Sequence, residues 1–99
     1  MDFEQFKKED SRLTVLRFLA QQNDWSLNEF VVQTALKQMA HTFSRDQVRT
    51  ELAWLKEQDL ISIKENSGVQ VAKLTHRGEE AAKGIITVPG VKRPSPGDL

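Results

Sequence analysis

Cysteine is absent from this chain of 99 residues, which excludes disulfide bonds and thiolate metal sites. A small domain without disulfides is typical of a reducing compartment, so we expect a cytoplasmic protein. The two histidines, His41 and His76, lie far apart in the sequence and have no ligand partner at helical spacing. We therefore expect no metal site and no cofactor.

Long apolar segments are also missing, since none approaches the roughly 20 residues that a membrane-spanning helix needs. The segment 1–10 is rich in charged residues and has no apolar stretch, so it does not resemble a secretory signal. Hydrophobic residues make up 38% of the chain, which is enough for one small globular core. The sequence therefore predicts a single domain with no membrane partner.

An excess of charge of either sign is lacking too, because 14 basic residues balance 14 acidic ones. Proteins that bind nucleic acids usually carry net positive charge, because Lys and Arg neutralise phosphates. A neutral chain binds DNA only where its charges are segregated on the surface, and otherwise the same scaffold suits a protein partner. We find no glycine-rich phosphate loop and no arrangement of nucleophile and base, so we do not expect an enzyme.

Two helices in the middle of the chain are predicted from capping boxes, in which two side chains three positions apart satisfy free backbone N–H groups. Ser26 and Glu29 are the first such pair, and the helix is predicted to start at Ser26. Ser44 and Gln47 are the second pair, and the helix that they start is predicted over 44–58. Two capped helices joined by a short turn are typical of a helix-turn-helix.

Further elements are predicted on both sides of this pair. Leucines at helical spacing predict a helix over 10–21. Two alternating segments around an Asn/Gly turn predict a β-hairpin over 61–74, and Thr75 caps a short helix over 77–83. We therefore predict an α+β fold that is mainly α, with a three-helix core, a two-stranded β-wing and a short C-terminal helix.

This order of elements is that of winged helix-turn-helix domains. The segments 59–61 (Asp-Leu-Ile) and 74–78 (Leu-Thr-His-Arg-Gly) resemble the wing region of the ArsR/MarR/PadR group of bacterial regulators. The resemblance covers roughly residues 10–84. The short chain with its proline-rich end also resembles small ArsR-like proteins of Mu-like prophages.

The resemblance implies a DNA-binding transcriptional regulator that acts as a dimer on double-stranded DNA. Helix 44–58 would be the recognition helix in the major groove, and the hairpin 61–74 would be the wing on the backbone. The ArsR metal sensors place cysteines on the third helix, and this chain has none, which argues against metal sensing. The residues that the resemblance places at the DNA are Ser44, Arg45, Gln47, Arg49 and Thr50 on the helix, with Lys64 and Lys73 on the wing.

A winged-helix module for protein–protein interaction or assembly, without DNA binding, is the alternative. Asp46 and Glu57 fall on the outward face of helix 44–58, where they would repel phosphate. The neutral charge of the chain favours the same alternative.

Three aromatic residues are candidate interface residues under that alternative. Trp54 lies about 120° from the apolar stripe of its helix, so it is either an exposed anchor or covered by Phe3, Phe6 or Val88. Phe3 and Phe6 share one side of a short helix and form either a dimerisation arm or a cover for the edge of the core. The pattern alone leaves both alternatives open.

The domain organisation predicted from these patterns has three parts. Residues 1–9 form an N-terminal arm, and residues 10–86 form the winged-helix domain. Residues 87–99 are rich in proline and glycine, which predicts a flexible tail.

Overall fold

The structure, a computed structural model, describes residues 2–95, which form four α-helices and a three-stranded antiparallel sheet. The predicted α+β class, mostly helical, is confirmed. None of the helices within these residues is long and apolar enough to cross a membrane. The elements are α1 (Phe3–Ala20), β1 (Ser26–Asn28), α2 (Glu29–Gln38), α3 (Arg45–Glu57), β2 (Ile61–Asn66), β3 (Val69–Leu74) and α4 (His76–Ala82).

Helix α1 begins at Phe3, seven residues before the predicted start at Asp10. The Asp2 side chain caps it by accepting a hydrogen bond from the Glu4 backbone N–H at 3.0 Å. Residues 3–9 contain no helix breaker, but they are mostly polar and exposed, so the sequence shows no apolar repeat there that would predict a helix. Residues 2–9 of the predicted N-terminal arm are therefore the cap and the first turns of α1. Met1 lies outside the described residues.

Helix α2 begins three residues later than predicted, so the capping box of Ser26 and Glu29 is wrong. Residues 26–28 form strand β1 instead, because their backbone pairs with β3. Asn28 is the actual cap, and its side chain accepts hydrogen bonds from the Phe30 and Val31 backbone N–H groups at 2.9 and 3.0 Å. This frees the Glu29 side chain for other partners.

The predicted hairpin over 61–74 is confirmed, and its two strands pair in the register of Ile63 with Ala72. A two-residue turn joins the strands, with positive φ angles of 50° at Ser67 and 81° at Gly68. Such a turn matches the right-handed twist of the flanking strands. The sheet order is β1-β3-β2, so the hairpin gains a third strand that the predicted two-stranded wing did not include.

Two further caps predicted from the sequence are confirmed. Ser44 and Gln47 form the capping box of α3, and the Thr75 hydroxyl accepts from the Gly78 backbone N–H at 3.0 Å at the start of α4. Gly78 packs directly against the backbone carbonyl of Leu60, where a Cβ atom would overlap the oxygen. The glycine of the Leu-Thr-x-x-Gly segment is therefore required by close packing of α4 on the start of β2.

The segment of residues 85–94, here called the C-terminal strap, packs back onto the helices. Val88 and Val91 are buried in the core, and the Lys92 backbone N–H donates to the Glu9 carbonyl of α1 at 3.1 Å. The Lys92 ammonium also lies 3.3 Å from the Asp10 carboxylate. Residues 87–95 therefore do not form the predicted flexible tail, because Val88 and Val91 are buried in the core despite the neighbouring proline and glycine residues. Residues 96–99 of the predicted tail lie outside the described residues.

Candidate functional site

A buried carboxylate, Glu29, lies where α2, α3 and the hairpin meet, and it is only 1% exposed. Its Oε1 accepts from Arg45 Nε at 2.6 Å and from Arg49 Nε at 2.8 Å. Its Oε2 accepts from Arg49 Nη2 at 2.9 Å and from the Gln70 backbone N–H at 2.6 Å. The negative charge is thus fully compensated, as a buried carboxylate requires.

The two arginines also hold the turn of the hairpin. The Gly68 carbonyl accepts from Arg45 Nη2 at 3.0 Å and from Arg49 Nη2 at 2.7 Å. We call Glu29, Arg45, Arg49, Gly68 and Gln70 the Glu29 cluster. It joins the start of α2, the first half of α3 and the far end of the hairpin.

The charged groups of the Glu29 cluster stabilise one another's ionised forms. Hydrogen bonds from Arg49 and then Arg45 hold the pKa of the Glu29 carboxyl well below its ordinary value, although burial opposes this shift. The hydrogen bond to Glu29 in turn raises the pKa of Arg49. Glu29 and Arg49 therefore stay ionised at neutral pH.

Both arginines keep part of their surface in solvent, since the side chains are 45% exposed for Arg45 and 32% exposed for Arg49. A guanidinium group carries five N–H donors. The bonds described above use two donors of Arg45 and three of Arg49. The remaining donors have no acceptor among the described residues and are available to a further partner.

The other predicted residues of α3 are exposed but partly engaged in the helix itself. Ser44 Oγ accepts from the Gln47 backbone N–H at 3.1 Å, and Gln47 Oε1 accepts from the Ser44 backbone N–H at 2.8 Å. Thr50 Oγ1 donates to the Asp46 carbonyl at 3.0 Å. The Gln47 amide NH₂ and the Thr50 hydroxyl oxygen remain able to bond an external group.

The two predicted wing lysines do not join these residues. Lys64 pairs with Val71, and Lys73 pairs with Ser62. Side chains alternate along a strand, and the alternate positions, such as Ala72, are the buried ones that face the helices. Lys64 and Lys73 therefore lie on the opposite face of the sheet from α3, and neither is in the turn.

A groove separates α3 from the hairpin, and we call it the wing groove. Its volume is about 660 Å³. Three carboxylates and a single lysine line it, so its charge is acidic. The lining residues are Ala53, Lys56, Glu57, Asp59, Ile63, Glu65 and Gln70.

A second groove, the α1 groove, lies on the other side of α3, between this helix and the start of α1. Its volume is about 320 Å³. Of its acidic side chains, Glu51 is buried and bonded to Arg12 at 2.7 Å. Lys8 forms no ion pair within residues 2–95, and Lys7 lies 3.9 Å from Glu4. The lining residues are Glu4, Lys7, Lys8, Thr42, Phe43, Gln47, Thr50 and Glu51.

The lysines of the α1 groove were not among the residues predicted from the sequence. The neighbouring pair Lys7 and Lys8 was a visible basic signal, but it was assigned to the N-terminal arm. Its position beside α3 depends on how α1 packs, which local patterns do not encode.

Trp54 is covered and is not an exposed anchor. The Arg12 guanidinium lies over its indole ring, 3.9 Å from the ring centroid. The C-terminal strap packs against the edge of the ring, since a Cβ atom on Gly90 would lie 2.5 Å from the indole. Arg12 also donates to the Gly90 carbonyl at 3.0 Å, which ties α1 to the strap.

Phe3 and Phe6 both keep exposed surface on the first turns of α1, at 69% and 39%. The Lys7 ammonium lies 5.7 Å from the Phe3 ring centroid, and the Lys92 ammonium lies 5.5 Å from that of Phe6. Phe3 is not part of the core cluster. Of the three predicted interface residues, Trp54 is therefore covered, whereas Phe3 and Phe6 remain accessible.

Comparison with known proteins finds relatives of the same length class. The chain is 43% identical over 88 residues to the uncharacterized protein gp26 of Escherichia phage Mu, covering 89% of this chain and 91% of gp26. It is 40% identical over 78 residues to an uncharacterized protein of Haemophilus influenzae, covering 78% of this chain and 76% of that protein. No protein-family profile matches the chain. The phage relative agrees with the predicted resemblance to small proteins of Mu-like prophages.

Proposed function

We propose that this chain, which belongs to the same family as protein gp26 of Escherichia phage Mu, is a winged-helix protein that binds double-stranded DNA and regulates transcription. In this proposal α2 and α3 form the helix-turn-helix, α3 is the recognition helix and the β2–β3 hairpin is the wing. The order of the elements supports it. The N-terminal half of α3 is the part that would read the DNA, as in other helix-turn-helix proteins.

The observation that carries the proposal is that the exposed face of the first half of α3 is flanked by two pairs of basic side chains, one on α3 itself and one on α1. Gln47 and Thr50 lie between the pairs and present hydrogen-bonding groups that are suited to base edges. This is the segregated charge that a neutral chain needs for binding phosphate. Asp46 lies on the same face and reduces the positive charge, so we expect modest affinity. The basic pairs are Arg45 with Arg49 on the hairpin side, and Lys7 with Lys8 on the α1 side.

The Glu29 cluster supports the same function in a second way. A carboxylate behind two arginines fixes their guanidinium planes before any ligand arrives. A preoriented side chain loses less rotamer entropy when it binds, which increases affinity and selectivity. The donors that remain on Arg45 and Arg49 are therefore presented in a defined geometry.

Fluorescence anisotropy with labelled duplexes from the source genome tests the proposal, beginning at low salt. We expect Gln47→Glu to weaken binding about tenfold, because the variant keeps an oxygen for the capping box but replaces an amide donor with a negative charge. Gln21→Glu is the matched control, since it adds the same charge at the far end of α1, and its affinity should match that of the unmodified protein. Undetectable binding at low salt, or equal loss in both variants, contradicts DNA binding by α3.

A protein-assembly module is the second candidate, and the exposure of Phe3, at 69%, is the observation that favours it. It no longer rests on Trp54, which is covered. Light scattering on Phe3→Ser should show a lower mass than the unmodified protein if this residue anchors an interface. Ile85→Ser, which removes an equally exposed apolar side chain from the strap, is the control and should leave the mass unchanged. A mass that is the same in all three proteins excludes an assembly through Phe3.

A further inference from the structure

We propose that the phosphate backbone of the bound DNA runs along the α1 groove and not along the wing groove, with Lys7 and Lys8 as phosphate contacts. This inference rests on the proposed DNA binding and adds the path of the backbone to it. It departs from the expectation, taken from the family resemblance, that the wing contacts the backbone. The ligand of the α1 groove is thus a DNA phosphodiester.

The wing groove is unsuited to phosphate because of its charge. Glu57, Asp59 and Glu65 line it, and Lys56 is the lysine among its lining residues. A polyanion in this groove would bring like charges together, and Lys56 offsets only one of the three carboxylates that line it. The carboxylates that repel phosphate lie on both walls of the wing groove, so a shift of one side chain would not make the groove suitable for phosphate.

The hairpin cannot easily move to present another surface. Arg45 and Arg49 both hold the Gly68 carbonyl at the turn. The lysines of the hairpin, Lys64 and Lys73, lie on the face of the sheet directed away from α3. A backbone that follows α3 therefore does not meet them.

The α1 groove offers the donors that phosphate requires. Lys8 is free of ion pairs among the described residues. Lys7 lies 3.9 Å from the carboxylate of Glu4, which also lines the groove, and 5.7 Å from the Phe3 ring centroid. The Gln47 amide and the Thr42 hydroxyl line the same groove. Glu51 does not oppose binding, since Arg12 neutralises it at 2.7 Å inside the protein.

The salt dependence of binding distinguishes the two paths. Each phosphate contact contributes about 0.9 to the slope of log affinity against log salt concentration. We expect the double variant Lys7→Gln/Lys8→Gln to reduce the magnitude of that slope by about 1.8 and to weaken binding roughly tenfold at 0.1 M salt. The double variant Lys64→Gln/Lys73→Gln removes the same charge from the outer face of the sheet, and its slope should be unchanged.

The possible results separate this inference from the proposed function. A slope that falls in the Lys64/Lys73 variant and not in the Lys7/Lys8 variant overturns the backbone path while DNA binding stands. Equal slopes in all three proteins overturn it as well. Absence of binding by the unmodified protein overturns both proposals. Equal melting temperatures of the variants show that a changed slope does not come from unfolding, since all four lysines have their side chains at the surface.

Discussion

At the scale of single residues, Glu29 shows how a local pattern can be misread. Its spacing from Ser26 predicted a capping box, but the structure uses its carboxylate as a buried acceptor. Its partners lie 16, 20 and 41 residues further along the chain. A capping rule compares residues within one turn, so it had no access to these partners. Arg45 and Arg49 were predicted as DNA contacts, and in the structure both compensate this buried charge.

We predict that Glu29→Gln lowers the free energy of unfolding at pH 7 by about 2–4 kcal/mol, because charged hydrogen bonds to two arginines are lost. The pKa of Glu29 is lowered by folding, so its stabilising contribution is complete above the ordinary value of 4.5 and is lost as the pH falls below it. Urea denaturation of both proteins at pH 7 and pH 3 measures this. The difference between them should shrink at pH 3, and a constant difference contradicts the ion-pair explanation.

At the scale of elements, the parts with local causes were predictable. The capping box of α3, the cap of α4 and the hairpin each depend on residues within a few positions of one another, and all three are confirmed. Strand β1 was missed because only three residues form it. Its identity depends on β3, which pairs Ser26 with Lys73 from a distant part of the sequence.

The end of α2 also depends on residues close together in the sequence. The Ala40 backbone has a positive φ angle of 66°, and the next amide, His41 N–H, donates back to the Leu36 carbonyl at 2.8 Å. This left-handed position after a helix is one that glycine usually fills, because a Cβ atom is strained there. Alanine at this position therefore costs stability.

We predict that Ala40→Gly raises the free energy of unfolding by about 0.5–1 kcal/mol, since it removes the strain at the positive φ angle. Ala53→Gly is the matched control, because the same change inside α3 should lower stability by about 1 kcal/mol. Urea denaturation of both variants measures the effects. A loss of stability in both would show that the Ala40 methyl group contributes contacts that outweigh the strain.

At the scale of the whole molecule, the C-terminal strap closes the side of the domain where α1 and α3 meet. Its composition predicted a flexible tail, because proline and glycine usually mark unpacked chain. The strap is instead held by buried Val88 and Val91 and by the bond of Arg12 to the Gly90 carbonyl. The position of Lys7 and Lys8 beside α3 was missed for the same reason, since both depend on the packing of segments distant in sequence.

We predict that Gly90→Ala lowers the free energy of unfolding by about 2–3 kcal/mol, because the new methyl group would collide with Trp54 and the φ angle of 96° is strained for alanine. Gly84→Ala is the control, since Gly84 also has a positive φ angle, 77°, but a Cβ atom added there would lie at an ordinary distance of 3.6 Å from Pro94. It should cost about 1 kcal/mol. In a Trp25→Phe background, the Trp54 emission should shift to longer wavelength in the Gly90 variant alone. Equal effects of both substitutions would contradict the packing of the strap on Trp54.

The bonds from Arg45 and Arg49 to the Gly68 carbonyl have a consequence for how the molecule opens. An isolated two-stranded hairpin is only marginally stable in water. Here the turn is fastened to α3, and the Gln70 amide next to it is fastened to the start of α2. The hairpin, α2 and α3 are therefore linked at this point, and the turn is released when Arg45 and Arg49 leave the Gly68 carbonyl. Any ligand that draws the arginines away from Glu29 would loosen the far end of the hairpin at the same moment.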